Sequence, residues 1–401
     1  SPRSWDELDA ILDEALDLPP EKRPVLFDRL QLDPPERERL EKLIAAAESD
    51  DDTLAAGGAL GGRRGEQLAA LLGEEESPGA PDSIPGYRLL RRIGSGGMGH
   101  VWEADQLEPV HRRVAVKIIR PERDSDRVVA RFESERQTLA RMNHPGIAQI
   151  FDAGLTDSGR HFFTMEFVDG RPLAAFCDEH RLSIDDRLRL FLEVCDAVQH
   201  AHQKGVIHRD LKPSNVLVTR VDGRPVPKVI DFGIARLAEG ALDRESLLTE
   251  VGMVIGTPEY MSPEQAGAAP VDVDTRADVY ALGVLLYELL TGALPFERPG
   301  SDPVALASFF SELRETDPPR PSPRVEQHGD KSLAAAAARG TEPVGLARAL
   351  RGDLDWIVMK ALEKDRSRRY DSVGELAADV GRHLADKPVL AGPPGATYRM
   401  G

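Results

Sequence analysis

The sequence predicts an α+β chain of two unequal lobes, a small β-rich lobe with one main helix followed by a larger, mainly helical lobe, with a short helical region in front. Short β-branched runs, Val114 to Ile119 and His161 to Val168, surround a single charged helical stretch from Val128 to Met142. After Gly170 the apolar period lengthens to that of helices, in Ile184 to Lys204 and Thr275 to Thr291. Ahead of both, apolar residues recur at helical spacing near the start of the chain.

In chain order, Leu8, Ile11, Leu12, Ala15 and Leu16, then Val25, Leu26 and Leu30, then Leu40, Leu43 and Ile44 form three short apolar sets. Pro19-Pro20 and Pro34-Pro35 separate them, which predicts a helical N-terminal region over residues 1–48. The acidic run Glu48 to Asp52, the glycines 57, 58, 61 and 62, and Pro78 and Pro81 mark a flexible linker over 49–84, with a turn of helix around Leu68 to Leu72. The small lobe is expected over 85–168 and the helical lobe over 169–387. Within the latter, Pro318, Pro319, Pro321 and Pro323 and the alanine run Ala334 to Ala338 read as an insertion at about 318–350. Residues 388–401 read as a second linker.

With 401 residues and 41% hydrophobic content, the chain has material for real cores. A net charge of -17 and a pI near 5.1 repel phosphate backbones and anionic lipid, so nucleic acid is not an expected partner. Two cysteines, Cys177 and Cys195, form neither a zinc ribbon nor a disulfide framework and point to a reducing compartment. The apolar stretch Val279 to Leu290 is interrupted by Glu288 and is short of the roughly 20 residues of a membrane span, so a core helix is expected. The start Ser1-Pro2-Arg3 carries no signal pattern, and the expected location is cytoplasmic.

The chemistry gathers in a few short segments. Gly94-Ser95-Gly96-Gly97-Met98-Gly99-His100-Val101 has glycines at its first, third and sixth positions, so its backbone can approach phosphates closely. A dinucleotide-binding turn would run straight into a helix, whereas Val101-Trp102 and Val114-Ala115-Val116-Lys117 read as successive strands. From such a strand Lys117 reaches phosphates as a point charge, and Glu135 on the following helix is the expected carboxylate to orient it. His208-Arg209-Asp210-Leu211-Lys212-Pro213-Ser214-Asn215 brings together a proton acceptor, Asp210, a charge neutraliser, Lys212, and a carbonyl ligand for Mg²⁺, Asn215. Asp231-Phe232-Gly233 offers a second hard metal ligand at a strand end. His200 and His202, two positions apart on a helix, point in different directions and read as ordinary helix residues.

Taken together and in order, these segments match the protein-kinase signature set. From about Pro85 to Leu384 the chain resembles the bacterial eukaryotic-like (Hanks-type) serine/threonine protein kinases. The resemblance implies the bilobal protein kinase fold and ATP-dependent transfer of the γ-phosphate to protein hydroxyls, with ATP and Mg²⁺ (or Mn²⁺) as cofactors. By the same resemblance Ile93, the run Gly94 to Gly99, Val101, Ala115, Lys117 and Leu217 contact nucleotide; Met165 is the gatekeeper, and Glu166 to Val168 form the hinge to adenine. Asp210, Lys212, Lys117 and Glu135 are implied as catalytic, and Asn215 and Asp231 as metal ligands. The segment Gly256 to Glu264 resembles the end of the family's activation segment, with Ser262 where alanine is more usual, a change expected to leave function undisturbed. Glu264 is implied to pair with a buried arginine, Arg369 or the competing Arg368, and Asp278 to brace the catalytic-loop backbone. Lys212-Pro213 and Gly256-Thr257 look like the serine/threonine subclass.

Arg209 before Asp210 implies control by an activation-loop phosphate, with Thr249 the leading site and Ser246 and Thr257 as alternatives. Protein substrates are the expected partners, with a regulatory partner or self-association through the N-terminal helices. Many kinases resembling this one continue into a membrane helix and sensor region, and no such helix is read within these residues. The competing functional class is a catalytically silent kinase-fold scaffold.

Overall fold

The computed structural model describes residues 83–96, 99–119, 142–232, 257–266, 273–297, 303–327 and 330–392, with isolated positions 23, 26, 27, 30 and 37. The chain divides into two units, Ser1–Asp82 and Ser83–Gly401. In the first, Leu26 and Phe27 are buried, the Leu30 N–H bonds back to the Leu26 carbonyl, and Arg37 lies 5.7 Å from the Phe27 ring centre. The linker expected over 49–84 lies outside the described residues up to Asp82, as does the charged helix expected from Val128 except for its last residue, Met142, which is buried.

The second unit opens with strands β1 (Tyr87–Gly96), β2 (Gly99–Gln106), β3 (Arg112–Ile119), β4 (Ile150–Leu155) and β5 (His161–Glu166). They form an antiparallel sheet in the order β1-β2-β3-β5-β4. Strand β3 is buried from Val114 through Ile119 because both its faces are covered. Val114, Val116 and Ile118 join Ile84, Ala104 and Phe162 on one face; Ala115 and Ile119 join Phe163 and Met165 in the large core on the other. A strand covered on both sides carries a continuous apolar run instead of alternation. Lys117 is the one charged residue within that run, 7% exposed.

The larger lobe begins with β6 (Arg171–Pro172), α1 (Leu173–Glu179) and α2 (Ile184–Gln203). Helix α2 starts where Ser183 Oγ accepts the Asp186 N–H at 3.2 Å, with Asp185 and Asp186 in the positive first turn. Strands β7 (Val216–Val221) and β8 (Arg224–Val229) complete a small sheet ordered β6-β7-β8. Helix α3 (Arg276–Thr291) contains the expected core helix and is buried along almost all its length; each buried leucine contributes on the order of 2 kcal/mol. It stops at Gly292, whose φ of 74° suits a glycine C-cap.

The stretch read as an insertion is helical and part of the core. After α4 (Pro303–Glu315) come α5 (Pro321–Gln327), α6 (Asp330–Ala337) and α7 (Pro343–Leu350), then α8 (Asp353–Ala361) and α9 (Val373–Leu384). Pro321 and Pro343 open helices, where a missing N–H leaves no bond unmade. Arg339, 3% exposed, donates to the Leu289 and Glu288 carbonyls at 3.0 Å each, and Arg187 donates to the Leu289 and Ala338 carbonyls at 3.3 and 2.7 Å. Two arginines thereby satisfy the carbonyls at the C-terminal end of α3. The docked chain also continues past the expected boundary at Lys387: Val389 is buried, and the Leu390 and Ala391 N–H groups donate to the fully buried Asp379 at 2.8 and 2.9 Å. Among the described residues no helix is long and apolar enough to cross a membrane.

Candidate active site

The glycine-rich segment is the turn of the β1–β2 hairpin. Gly94 pairs with Val101, Ser95 with His100 and Gly96 with Gly99, while Gly97 and Met98 lie outside the described residues. Gly99 has φ 154°, and a Cβ there would sit 2.0 Å from the Ile118 carbonyl oxygen, so no other residue fits without moving the hairpin. Ile93 lies at a register shift in β1 and is 38% exposed.

Next to the hairpin, Ala115 is in register with the buried Met165 and Val114 with Glu166, which aligns the implied base-contacting positions along β3 and β5. The Glu166 N–H is committed to the Gln149 carbonyl at 2.8 Å, and its carboxylate to Lys228 Nζ at 2.6 and 2.8 Å. Val168 and Leu217 are partly exposed on the segment after β5 and on β7.

Lys117 has a partner that the sequence did not single out for it. Its Nζ donates to both carboxylate oxygens of Asp231, at 2.5 and 2.6 Å, while Glu135 lies outside the described residues. Burial works to raise the Asp231 carboxyl, but the Lys117 charge and hydrogen bonds, with His208 and Lys212 behind them, outweigh it and hold Asp231 below the ordinary carboxylate range. Asp231 takes φ 61°, and Phe232 behind it is buried with its ring 4.7 Å from that of His208.

The loop from His208 to Asn215 is held at both ends. Its start is fixed by the fully buried Asp278, which accepts the His208 and Arg209 N–H groups at 2.8 Å each and lies 2.7 Å from His202 Nε2. Burial opposes ionisation of Asp278, yet the His202 hydrogen bond and charge, with His208, leave it below its ordinary value. His202 therefore has a structural task that its helical spacing does not reveal. At the far end the Asn215 carbonyl accepts the Ile230 N–H at 2.9 Å, which sets Asn215 beside Asp231. Asn215 Nδ2 donates to the Asp210 carbonyl and to Asp210 Oδ2 at 2.8 and 3.1 Å, so its amide oxygen is the atom offered to a cation.

Lys212 Nζ stands 3.0 Å from Asp210 Oδ2 and 3.1 Å from Thr257 Oγ1. Thr257 thus belongs to the same hydrogen-bonded set as Asp210. Thr249 and Ser246 lie outside the described residues. Of the two candidates for Glu264, Arg369 is the partner: NH1 and NH2 each lie 2.7 Å from a carboxylate oxygen, whereas Arg368 is exposed and meets Glu363. Gln265, unremarked in the sequence, bonds the Arg209 carbonyl at 3.0 Å. Its place directly after Glu264 was the available signal.

Comparison with known proteins agrees with this geometry. Serine/threonine-protein kinase pkn3 of Myxococcus xanthus is 38% identical over 310 residues, covering 75% of this chain and 54% of that protein. Serine/threonine-protein kinase PknB of Mycobacterium tuberculosis is 36% identical over 308 residues, covering 75% of this chain and 44% of the relative. The chain thus spans about half, or less, of these curated relatives. The crystal structure of the Mycobacterium tuberculosis PknI kinase domain superposes with a TM-score of 0.52 at 26% identity, over 75% of this chain and 97% of that one. The family model described as protein kinase domain matches residues 87–371, the span that holds the hairpin, the lysine strand and both catalytic loops; the chain belongs to that family.

Proposed function

We propose that this chain is an ATP-dependent protein kinase that transfers the γ-phosphate to serine and threonine hydroxyls. One observation carries the reading: the Lys117–Asp231 pair and the hydrogen-bonded set of Asn215, Asp210, Lys212 and Thr257, drawn from four separate segments, are brought side by side by the bond from the Ile230 N–H to the Asn215 carbonyl. Asp210 accepts the proton of the attacking hydroxyl, and Lys212, steadied by Thr257, neutralises charge on the moving phosphoryl group. Lys117 holds the ATP phosphates beneath the glycine hairpin. Ile93, Val101, Ala115, Met165, the hinge Glu166 to Val168 and Leu217 enclose the base.

A divalent cation fits the Asn215 and Asp231 oxygens, since both are hard donors and Asp231 stays ionised. Mg²⁺ is the expected ion, with Mn²⁺ as the alternative. When bound, it supplies neutralisation of phosphate charge. A silent scaffold is not favoured, because the described catalytic positions are all occupied by the groups the chemistry needs.

For control, Arg209 Nε is buried with no hydrogen-bond partner among the described residues, which supports a phosphate-binding role for Arg209 toward Thr249, or else Ser246. Regulatory docking or self-association is assigned to the N-terminal helical region. The two unpaired, buried cysteines fit a reducing, ATP-containing cytoplasm.

The test is transfer from labelled ATP, with Mg²⁺, to the protein itself and to a generic basic protein. Asp210→Asn is expected to lower transfer by about 10²–10⁴-fold. Label retained in Asp210→Asn would sink the reading. Mass spectrometry locates the sites, and an unchanged rate in Thr249→Ala would remove the regulatory part.

A further inference from the structure

Arg209, whose carbonyl begins the peptide unit leading into Asp210, is gripped on both sides. Arg209 has φ 64°, a left-handed conformation that a non-glycine residue keeps only when its neighbours over-determine it. Its N–H donates to Asp278 Oδ1 at 2.8 Å, and its carbonyl accepts from Gln265 Nε2 at 3.0 Å. The second grip comes from outside the catalytic loop, 56 residues away in sequence.

The other end of the Gln265 amide is equally committed. Gln265 Oε1 accepts the Ser262 N–H at 3.0 Å and the Ser262 hydroxyl at 3.1 Å, and Ser262 is fully buried. Only one amide orientation serves this set, because the Ser262 N–H requires an acceptor and the Arg209 carbonyl requires a donor. The segment that bears the pair is itself anchored through Glu264 to Arg369. Alanine at 262 would keep the main-chain bond and lose the hydroxyl, the second donor that sets the tilt of the amide. The serine is therefore part of the support of the Gln265 amide.

We propose that Gln265, set by Ser262, is a positioning residue for phosphoryl transfer: it holds the Arg209–Asp210 peptide plane and thereby aims the Asp210 carboxylate. This rests on the reading of Asp210 as the group that takes the substrate proton.

The experiment compares Gln265→Glu, Gln265→Met, Ser262→Ala and Asp210→Asn in the full chain, with Mg²⁺-ATP and a generic basic protein. It reads kcat, KM for ATP and the thermal midpoint. Gln265→Glu keeps the shape and the acceptor but has no N–H for the Arg209 carbonyl, and Gln265→Met removes the polar group without adding charge. Both are expected to lower kcat, read well below the thermal midpoint, about tenfold or more with KM for ATP unchanged, while the midpoint falls by a few degrees as the stranded polar groups lose their partners. Ser262→Ala is expected to lower kcat about threefold. Unchanged kcat in both Gln265 variants overturns the proposal, as does a loss of kcat that tracks a matching fall in thermal midpoint and ATP affinity. Turnover retained in Asp210→Asn overturns the Asp210 reading itself, and the positioning proposal with it, whatever the Gln265 variants do.

Discussion

Lys117 Nζ lies within 2.6 Å of both carboxylate oxygens of Asp231, so the lysine proposed to hold phosphates and the aspartate proposed to hold the cation neutralise each other. Lys117 is nearly buried and Asp231 partly so, which makes the pair stronger than a surface ion pair but costly to break on one side. A divalent cation at Asp231 and phosphates at Lys117 would each replace a partner the other now holds. Lys117→Met is therefore expected to abolish transfer while leaving Asp231 easier to protonate, because burial is then opposed only by the weaker influence of His208 and Lys212. Phosphate transfer and the binding of a fluorescent ATP analogue, measured side by side, check the first part. NMR titration of the Asp231 carboxyl checks the second, and an unchanged carboxyl would show that Lys117 is not what holds it ionised.

Gly99 is a position in the glycine hairpin proposed to cover the phosphates where a side chain is excluded by both conformation and contact. Gly99→Ala must relieve a clash of its Cβ, 2.0 Å from the Ile118 carbonyl oxygen, and a backbone angle that costs about 1–3 kcal/mol for an alanine. The hairpin moves away from β3, and KM for ATP is expected to rise about tenfold or more, with a smaller change in the thermal midpoint. Equal KM values would mean that the hairpin does not cover the nucleotide.

Glu264 and Arg369 give the clearest pH dependence. Burial works to raise the Glu264 carboxyl, and the Arg369 hydrogen bonds and charge more than offset it, so the folded value lies below the ordinary one. A carboxyl lowered on folding contributes stability in full above its unfolded value, about 4.3, and loses it as the pH falls through the folded value. Glu264→Gln is expected to cost about 3–5 kcal/mol at neutral pH, since it strands a fully buried guanidinium. The penalty should shrink below about pH 4, and thermal midpoints from pH 3 to pH 8 measure it. A penalty independent of pH would show that charge is not what the pair contributes.

Local patterns were legible in the sequence where one segment carries its own meaning. The glycine hairpin, the strand bearing Lys117, the loop from Asp210 to Asn215 and the acid at Asp231 are each set by neighbours within a few residues. Glu264–Arg369 was legible through resemblance alone, across 105 residues. What could not be read were choices settled by packing: that Lys117 meets Asp231, that His202 turns to Asp278, and that Gln265 reaches the Arg209 carbonyl. Spacing fixes which residues share a face, but not which donor among several a buried carboxylate takes. The helices of the span from Pro318 to Leu350 were not legible for another reason. Its prolines break a 3.6-residue pattern when counted as interruptions, yet Pro321 and Pro343 stand at helix starts, where they interrupt nothing.

That same span yields the last prediction. Arg339 sends Nε and NH2 to the carbonyls of Leu289 and Glu288 and NH1 to that of Ala335, so it ties α6 to the end of α3. Burial, with the like charge of Arg187, lowers its own pKa to about 10, which leaves it fully charged at neutral pH. Arg339→Met keeps most of the volume and removes every donor. Ala335 then loses the side-chain donor to its carbonyl, whereas Glu288 keeps the Gly292 N–H at 2.8 Å and Leu289 keeps Arg187 at 3.3 Å. Charged hydrogen bonds of this kind are worth about 1.5–3 kcal/mol each, so a loss of about 3 kcal/mol is expected, or roughly 6–10 °C in thermal midpoint. None of these atoms touches the set around Asp210, so kcat measured well below the new midpoint should stay within about twofold of the parent. A fall in kcat without a fall in the midpoint would place Arg339 in the catalytic arrangement instead of the scaffold beneath it.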